Sequence, residues 1–312
     1  MQIPYQKYIL TIEAVEELNL PYYKGSTFRG GFGNMFRRVI CALKRHDCSD
    51  CMLKSRCIYA YVFETPPPEG ASIMNMHKYE KIPHPFIIEP PDGSGAKTIL
   101  PGSLISFNLI LIGKGINYLP YFIYTFDELG KIGIGKGRGR YRLKEVKTAK
   151  DGIIVYLESD KIIRNVEPDL IEILAFVPSN KIDNITLKFV TPLRMKYNRD
   201  LVVIPEFHIL IRHLLRRLGL LYYFHCSSSE PSWNHKEIIN HAETIKMISS
   251  SLRWFDWERY SSRQKTRMRL GGLVGEITYS GDLKPFIYIL KAGEVLHIGK
   301  NTSFGLGKYE IK

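Results

Sequence analysis

Hydrophobic and polar positions alternate from Tyr5 to Leu18, which sets Tyr8, Leu10 and Ile12 on one face and predicts a strand. LPYYKGS then turns the chain. Ser26 is placed to cap a helix running through FRGGFGNMFRRVICALKRH, with Gly30, Gly31 and Gly33 predicting loop in its first turn. The proline-rich stretches PPPEGA and PHPFIIEPPDGSG read as connections around a short strand. Leu104–Ile112 reads as a buried strand, Leu119–Leu129 as a helix, and Arg140–Val146 and Ile153–Glu158 as strands. The pattern restarts near Ile185. Ile185–Met195 alternates as a strand, Pro205 opens a helix over Glu206–Tyr223, and His235–Leu252 reads as an inserted helix before the strand Gly272–Tyr279.

The end of the chain repeats an earlier stretch. Phe122-Ile123-Tyr124, nine residues, then Ile134-Gly135-Lys136 recurs as Phe286-Ile287-Tyr288, nine residues, then Ile298-Gly299-Lys300. Each copy closes on G-x-G-x-Tyr, at Gly137–Tyr141 and Gly305–Tyr309, the second loop being four residues longer. A repeat in register across helix, loop and strand predicts two related domains in tandem. Each half reads strand, helix, strands, helix, glycine-rich loop, strand. The predicted fold is therefore α+β, with tandem ferredoxin-like (βαββαβ, RRM-like) domains and a C-terminal glycine-rich loop. The boundary is placed within residues 165–184, giving domains 1–175 (with the cysteine cluster) and 176–312.

Charge narrows the function. The 312 residues carry 44 Lys and Arg against 31 Asp and Glu, a net +13, which predicts a polyanionic partner with nucleic acid ahead of a membrane surface. Nineteen Tyr and fifteen Phe favour single-stranded RNA, which is held by base stacking and phosphate contacts. The opening MQIPYQKYIL has no apolar signal region, no run of eighteen apolar residues exists, and the five cysteines do not form a secreted framework. A cytoplasmic protein is expected.

Lys136, Arg138, Arg140, Lys300 and Lys308 make both glycine-rich loops basic, as an RNA backbone requires; packing turns are the plainer alternative. Neither loop has Rossmann spacing, and GSGAKT at 93–98 lacks the glycine that a P-loop places before its lysine. Arg253, Arg259, Arg263, Lys265, Arg267 and Arg269 mix with the aromatics of the Trp254–Gly272 stretch, a second expected RNA surface. Cys41, Cys48, Cys51 and Cys57, spaced C-x6-C-x2-C-x5-C, suit a structural zinc or, equally, small buried positions. Cys226 is expected in the core.

Among the histidines, His208 and His213 share an amphipathic helix and read as core or surface residues, while His77 and His84 flank proline-rich loops without ranking. His46 lies beside Lys44, Arg45 and Lys54, and His297 lies three residues before Lys300. Either pairing suits RNA cleavage without metal: the histidine takes the ribose 2′-hydroxyl proton and the lysine stabilises the charged phosphate. No acidic cluster resembles a two-metal nuclease centre.

The terminal HIGKNTSFGLGKYEI, the RYSSRQ…LGGLVGEITYSGDL run and the early LPYYKGSTFRGGFG…CSDCMLKSRCIYAYVFETP resemble the RAMP superfamily. More narrowly, they resemble CRISPR-associated endoribonucleases that process precursor CRISPR RNA. The resemblance implies two ferredoxin-like domains, binding of CRISPR repeat RNA, and metal-independent cleavage leaving a 2′,3′-cyclic phosphate. It places the catalytic histidine at or after the first helix, matched here by His46 with Tyr22 or Tyr23 and Lys54. His297 belongs to the terminal motif shared by relatives with this cysteine cluster, and ranks second. Other CRISPR-associated effector subunits are implied partners, to a monomer or homodimer. The rival reading is a non-catalytic RAMP subunit that binds CRISPR RNA in an interference complex.

Overall fold

The computed structural model describes residues 1–44, 48–67, 82–91, 97–173, 182–261 and 266–312, with only the backbone described at Arg259, Tyr260, Ser261, Arg267 and Arg269. His46, His77, Arg263, Lys265 and the expected boundary after residue 175 lie outside the described residues. The chain divides into two compact units. One comprises Pro4–Leu170 with Phe224–Ser228; the other comprises Met1–Ile3, Ile171–Tyr223 and Ser229–Lys312.

The first unit follows the order β1 (Gln2–Ala14), β2 (Leu18–Leu20), α1 (Gly25–Ile40), β3 (Phe86–Glu89), β4 (Lys97–Ile99), β5 (Leu104–Ile112), α2 (Leu119–Ile132), β6 (Tyr141–Thr148), β7 (Ile154–Leu157) and β8 (Asp169–Glu172). Its main sheet runs β3-β5-β1-β6-β7, antiparallel at each of these pairings, with β8 also on β1. Taking β1, β3, β5 and β6 as the four core strands, this is the 4-1-3-2 order of a ferredoxin-like unit. Alternation on β1 buries Tyr8, Leu10 and Ile12, as predicted. Phe32 of α1 stacks on Phe122 of α2 with centroids 4.7 Å apart.

Two details of α1 differ from expectation. Ser26 does not cap it: the helix begins at Gly25, and the Ser26 hydroxyl donates to the Tyr23 carbonyl at 3.4 Å. Gly30, Gly31 and Gly33 are helical, because close packing rather than loop geometry requires two of them. A Cβ at Gly33 would lie 2.0 Å from the Phe63 ring, and one at Gly31 would lie 3.2 Å from Leu129.

The second unit contains β9 (Asn184–Leu193), β10 (Lys196–Tyr197), β11 (Asp200–Leu201), α3 (Phe207–Tyr222), α4 (His235–Ala242), β12 (Lys246–Ser250), β13 (Arg253–Phe255), β14 (Glu258–Ser261), β15 (Thr266–Arg269), β16 (Gly272–Ser280), α5 (Ile287–Leu296) and β17 (Tyr309–Ile311). Its main sheet, β12-β16-β9-β17, has the same 4-1-3-2 order, with β13 pairing on β16. The architecture is α+β with antiparallel sheets, as the repeat implied. The predicted helix over His235–Leu252 is a correction. Asn234 caps α4 by accepting from the Glu237 N–H, but the helix stops at Ala242, and Lys246–Ser250 becomes a strand on β16. The Ser-rich end of that segment lacks the buried face a longer helix would need.

Candidate functional site

The two glycine-rich loops are built on the same hydrogen bonds. In the first, the Ile134 N–H donates to the Gly139 carbonyl at 3.0 Å and the Lys136 N–H to Asn19 at 2.9 Å. In the second, Ile298 donates to Gly307 at 3.0 Å and Lys300 to Arg194 at 2.8 Å. The tyrosine closing each loop is buried, and its hydroxyl donates to a carbonyl of the preceding helix: Tyr141 to Phe126 at 2.8 Å, and Tyr309 to Leu290 at 2.5 Å. Each loop seats on the chain leaving the unit's first core strand. Val15 and Glu16 N–H groups donate to the Arg140 carbonyl as those of Val190 and Thr191 donate to Lys308.

Three substitutions distinguish the copies. First, Gly133, at φ 88° and ψ 164°, is replaced by His297 at φ 60° and ψ 169°. That region belongs almost wholly to glycine, and a side chain held there costs about 1–3 kcal/mol. The His297 ring is fully buried, and its Nδ1–H donates to the Leu306 carbonyl at 3.1 Å. Second, Glu16 is replaced by Thr191. The Glu16 carboxylate accepts from the Arg140 backbone at 3.0 Å and from the Arg140 guanidinium at 2.9 and 2.7 Å, and those bonds hold its carboxyl below the usual range. At the equivalent place the Thr191 hydroxyl accepts from the Lys308 N–H at 2.9 Å and adds no charge. Third, Asn19 is replaced by Arg194, whose Nη1 donates to Gly271 at 2.7 Å. The seat of the second loop thus carries an arginine and a threonine where that of the first carries an asparagine and a glutamate.

Behind it lies helix α3. Arg217 is buried; its Nε donates to the Leu296 carbonyl at 2.8 Å, one Nη lacks a partner among the described residues, and burial pushes its guanidinium down to about 9. One turn earlier, His213 is half-buried and its Nε2–H donates to the Lys196 carbonyl at 3.0 Å. Burial lowers its pKa, with Arg216 and Lys300 pushing the same way against that hydrogen bond. Nothing in its sequence neighbourhood singles out this histidine, because Lys300, whose charge bears on it, lies 87 residues further along the chain.

The other predicted residues are placed as follows. Lys300 is exposed and Lys308 half-buried on the second loop; Lys136 and Arg138 are exposed on the first, Arg138 at φ 55°. Tyr23 precedes α1, and its phenol is pushed up by burial and by Glu89. Lys54 is exposed in a short turn near the other end of that helix, where Tyr59 packs on Phe36. Sixteen helical residues span about 24 Å, so Tyr23 and Lys54 stand at opposite ends of α1. Arg259, Arg267 and Arg269 lie on the β14–β15 ribbon, and the exposed Trp254 on β13.

Cys41, Cys48, Cys51 and Cys57 are all half-buried free thiols, and Cys226 is half-buried rather than core. Burial raises the Cys48 thiol, with smaller effects from Arg37, Glu64, Cys41 and Cys57, so part of the cluster converges. Among the described residues no three His, Cys, Asp or Glu side chains are placed to hold a metal ion. No helix among the described residues is long and apolar enough to cross a membrane.

Comparison with known proteins fits this architecture. Residues 3–168, more than half of the chain, match the family described as the AF_1859_N N-terminal domain, and residues 187–309 match the model of the CRISPR-associated endoribonuclease Cas6. An uncharacterized protein of Archaeoglobus fulgidus is 25% identical over 298 residues, covering 95% of this chain and 94% of its own. Among solved structures, a Cas6 (TTHB231) product complex aligns with a TM-score of 0.59 at 17% identity, over 99% of this chain and 100% of that one. The Thermus thermophilus Cas6 (TTHB231) aligns with a TM-score of 0.56 at 16% identity, over 99% of each chain. Those likenesses show the tandem ferredoxin-like fold, and the family model over residues 3–168 shows that the chain belongs to the AF_1859_N family.

Proposed function

We propose that the protein binds CRISPR repeat RNA and cleaves precursor CRISPR RNA without a metal ion, by attack of a ribose 2′-hydroxyl on the adjacent phosphate. The 2′-oxygen–phosphorus bond forms as the phosphorus–5′-oxygen bond breaks, leaving a 2′,3′-cyclic phosphate and a 5′-hydroxyl. One observation carries the reading: within the region matching Cas6, the second glycine loop carries Lys300 and Lys308 on the same hydrogen-bonded backbone frame as its sister, with the neutral Thr191 where the sister loop has Glu16. A fixed cation beside the phosphate stabilises the charge that develops on its oxygens. The product complex solved for the Thermus relative supports the same class of activity.

The burial of His297 removes that histidine as the base, because a sealed imidazole cannot reach a 2′-hydroxyl, and it leaves as the second reading a RAMP subunit that holds CRISPR RNA without cutting it. Incubation of the protein with its own repeat RNA in EDTA separates the two. Cutting at one position, with a 5′-hydroxyl on the downstream fragment, supports the nuclease. Tight binding with intact RNA leaves the holding subunit.

A further inference from the structure

The chain that seats the second glycine loop runs directly into a tight hairpin. The Lys300 N–H donates to the Arg194 carbonyl at 2.8 Å, and a Cβ at Gly299 would stand 2.6 Å from that oxygen. Two residues later β10 begins, turns at Asn198-Arg199 and returns as β11, with Lys196 opposite Leu201 and Tyr197 opposite Asp200. The first loop has a different seat. There Asn19 lies inside β2, paired with β4, and its side chain donates to Glu17 at 2.8 Å and accepts from Thr98 at 3.0 Å.

The hairpin is pinned at its root and open at its tip. The His213 Nε2–H donates to the Lys196 carbonyl at 3.0 Å, and the Val202 N–H to the Met195 carbonyl at 3.1 Å. Asn198 and Arg199 have φ of 48° and 75°, the two consecutive positive values of a type I′ turn. Asparagine suits the first of these positions, but glycine is the usual second residue, and an arginine there is strained. Tyr197 is 36% exposed, and its ring meets that of His208 at 5.7 Å and 82°. His208 is itself held by the Glu206 carboxylate at 3.1 Å, so the phenol ring is oriented without being covered. Lys196 and Arg199 are exposed beside it, against one acid of the hairpin, Asp200.

An oriented aromatic ring between cations, next to a basic loop, suits an unpaired nucleotide: its base stacks on the ring and its phosphates meet the cations. A base inside a duplex has both faces covered by its neighbours and cannot stack there. We propose that the β10–β11 hairpin is a subsite for an unpaired nucleotide of the RNA. The base stacks on Tyr197, the backbone lies on Arg199 and Lys196, and the adjoining phosphate reaches the second glycine loop. This subsite rests on the RNA binding proposed above, requires no cleavage, and takes no part in the proton transfers. It also accounts for the strain at Arg199, where glycine would fit the backbone but offer no cation.

The test is fluorescence anisotropy of labelled repeat RNA, as a single strand and annealed to its complement, with full-length wild type, Tyr197→Ala, Tyr197→Phe and Arg199→Gly. Tyr197→Ala should weaken binding of the single strand by about tenfold and of the duplex by less than about twofold, and Tyr197→Phe should recover most of the loss. Arg199→Gly should weaken single-strand binding by about threefold and make the slope of log affinity against log salt shallower by about 0.7. The same variant should unfold at higher urea, because glycine relieves the positive φ. Tyr197→Ala that binds the single strand within about twofold of wild type, or loses as much on the duplex, overturns the stacking subsite. Arg199→Gly with the wild-type salt slope overturns the phosphate contact and leaves the tip a structural or protein-contacting turn. Wild type that binds neither form of the RNA overturns the function beneath the subsite.

Discussion

The two glycine-rich loops share their backbone frame and differ in the chemistry set on it. Both fold onto the chain leaving the first core strand of their unit, and both are closed by a buried tyrosine hydrogen-bonded to the preceding helix. The first keeps glycine, Gly133, at the position that His297 takes in the second, and pairs Arg140 with Glu16. The second accepts a strained histidine at the glycine position and a neutral threonine at the glutamate position. A repeated frame is explained by packing alone. The departures in one copy only are where function enters, and each can be reversed by importing the other copy's residue.

The largest effect should come from the frame itself. Gly307→Ala would set a Cβ 1.8 Å from the Ile298 carbonyl, at φ 71°, whereas Gly137→Ala meets nothing within 4 Å at φ 87°. The first should cost about 3 kcal/mol or more and the second about 1 kcal/mol, read from urea midpoints. Equal costs would show that the Gly307 contact can relax.

Next comes the charge difference. Thr191→Glu gives the second loop the carboxylate of the first and should weaken repeat-RNA binding by about tenfold, or ~1.4 kcal/mol, with a shallower salt dependence. Glu16→Thr should leave binding within about twofold or tighten it. The reverse ranking would move the main RNA contact to the first loop.

The strain comparison is smaller. His297→Gly restores the residue that the sister loop uses, while His297→Ala keeps the strained backbone and loses the bond to Leu306. The glycine variant should be the more stable by about 1 kcal/mol in denaturant melts. An alanine variant of equal or greater stability would mean that the positive φ carries no strain.

The smallest effect is a pH dependence. His213 has a lowered pKa in the folded protein, so below pH 6.5 the unfolded chain takes up a proton first. Stability from this residue is fully present above pH 6.5 and falls as the pH drops toward the folded-state value. The stability gap between wild type and His213→Gln should therefore narrow on acidification over that window. A gap constant from pH 7 to 5 would contradict the assignment.

Much of this was legible in the chain. Alternation set the faces of β1 and β5, and the repeated F-I-Y…I-G-K…G-x-G-x-Y blocks set the two loops before any coordinates. What escaped were relations between distant positions. The equivalence of Glu16 and Thr191 appears only once both loops are seen seated on their strands. His213 reads as an ordinary helical residue until folding brings Lys300 to it. The α1 glycines look like helix breakers because the Phe63 and Leu129 side chains that need the space are remote in sequence. The segment after Ala242 continues as strand because β16 offers it an edge, which helix periodicity over His235–Leu252 does not reveal.

The most direct test of the account is photo-crosslinking of 4-thiouridine-substituted repeat RNA to the protein, followed by mapping of the modified peptides. Crosslinks are expected within residues 297–309, strongly reduced by Thr191→Glu and not by Glu16→Thr. Crosslinks confined to residues 133–141, insensitive to Thr191→Glu, would contradict the account.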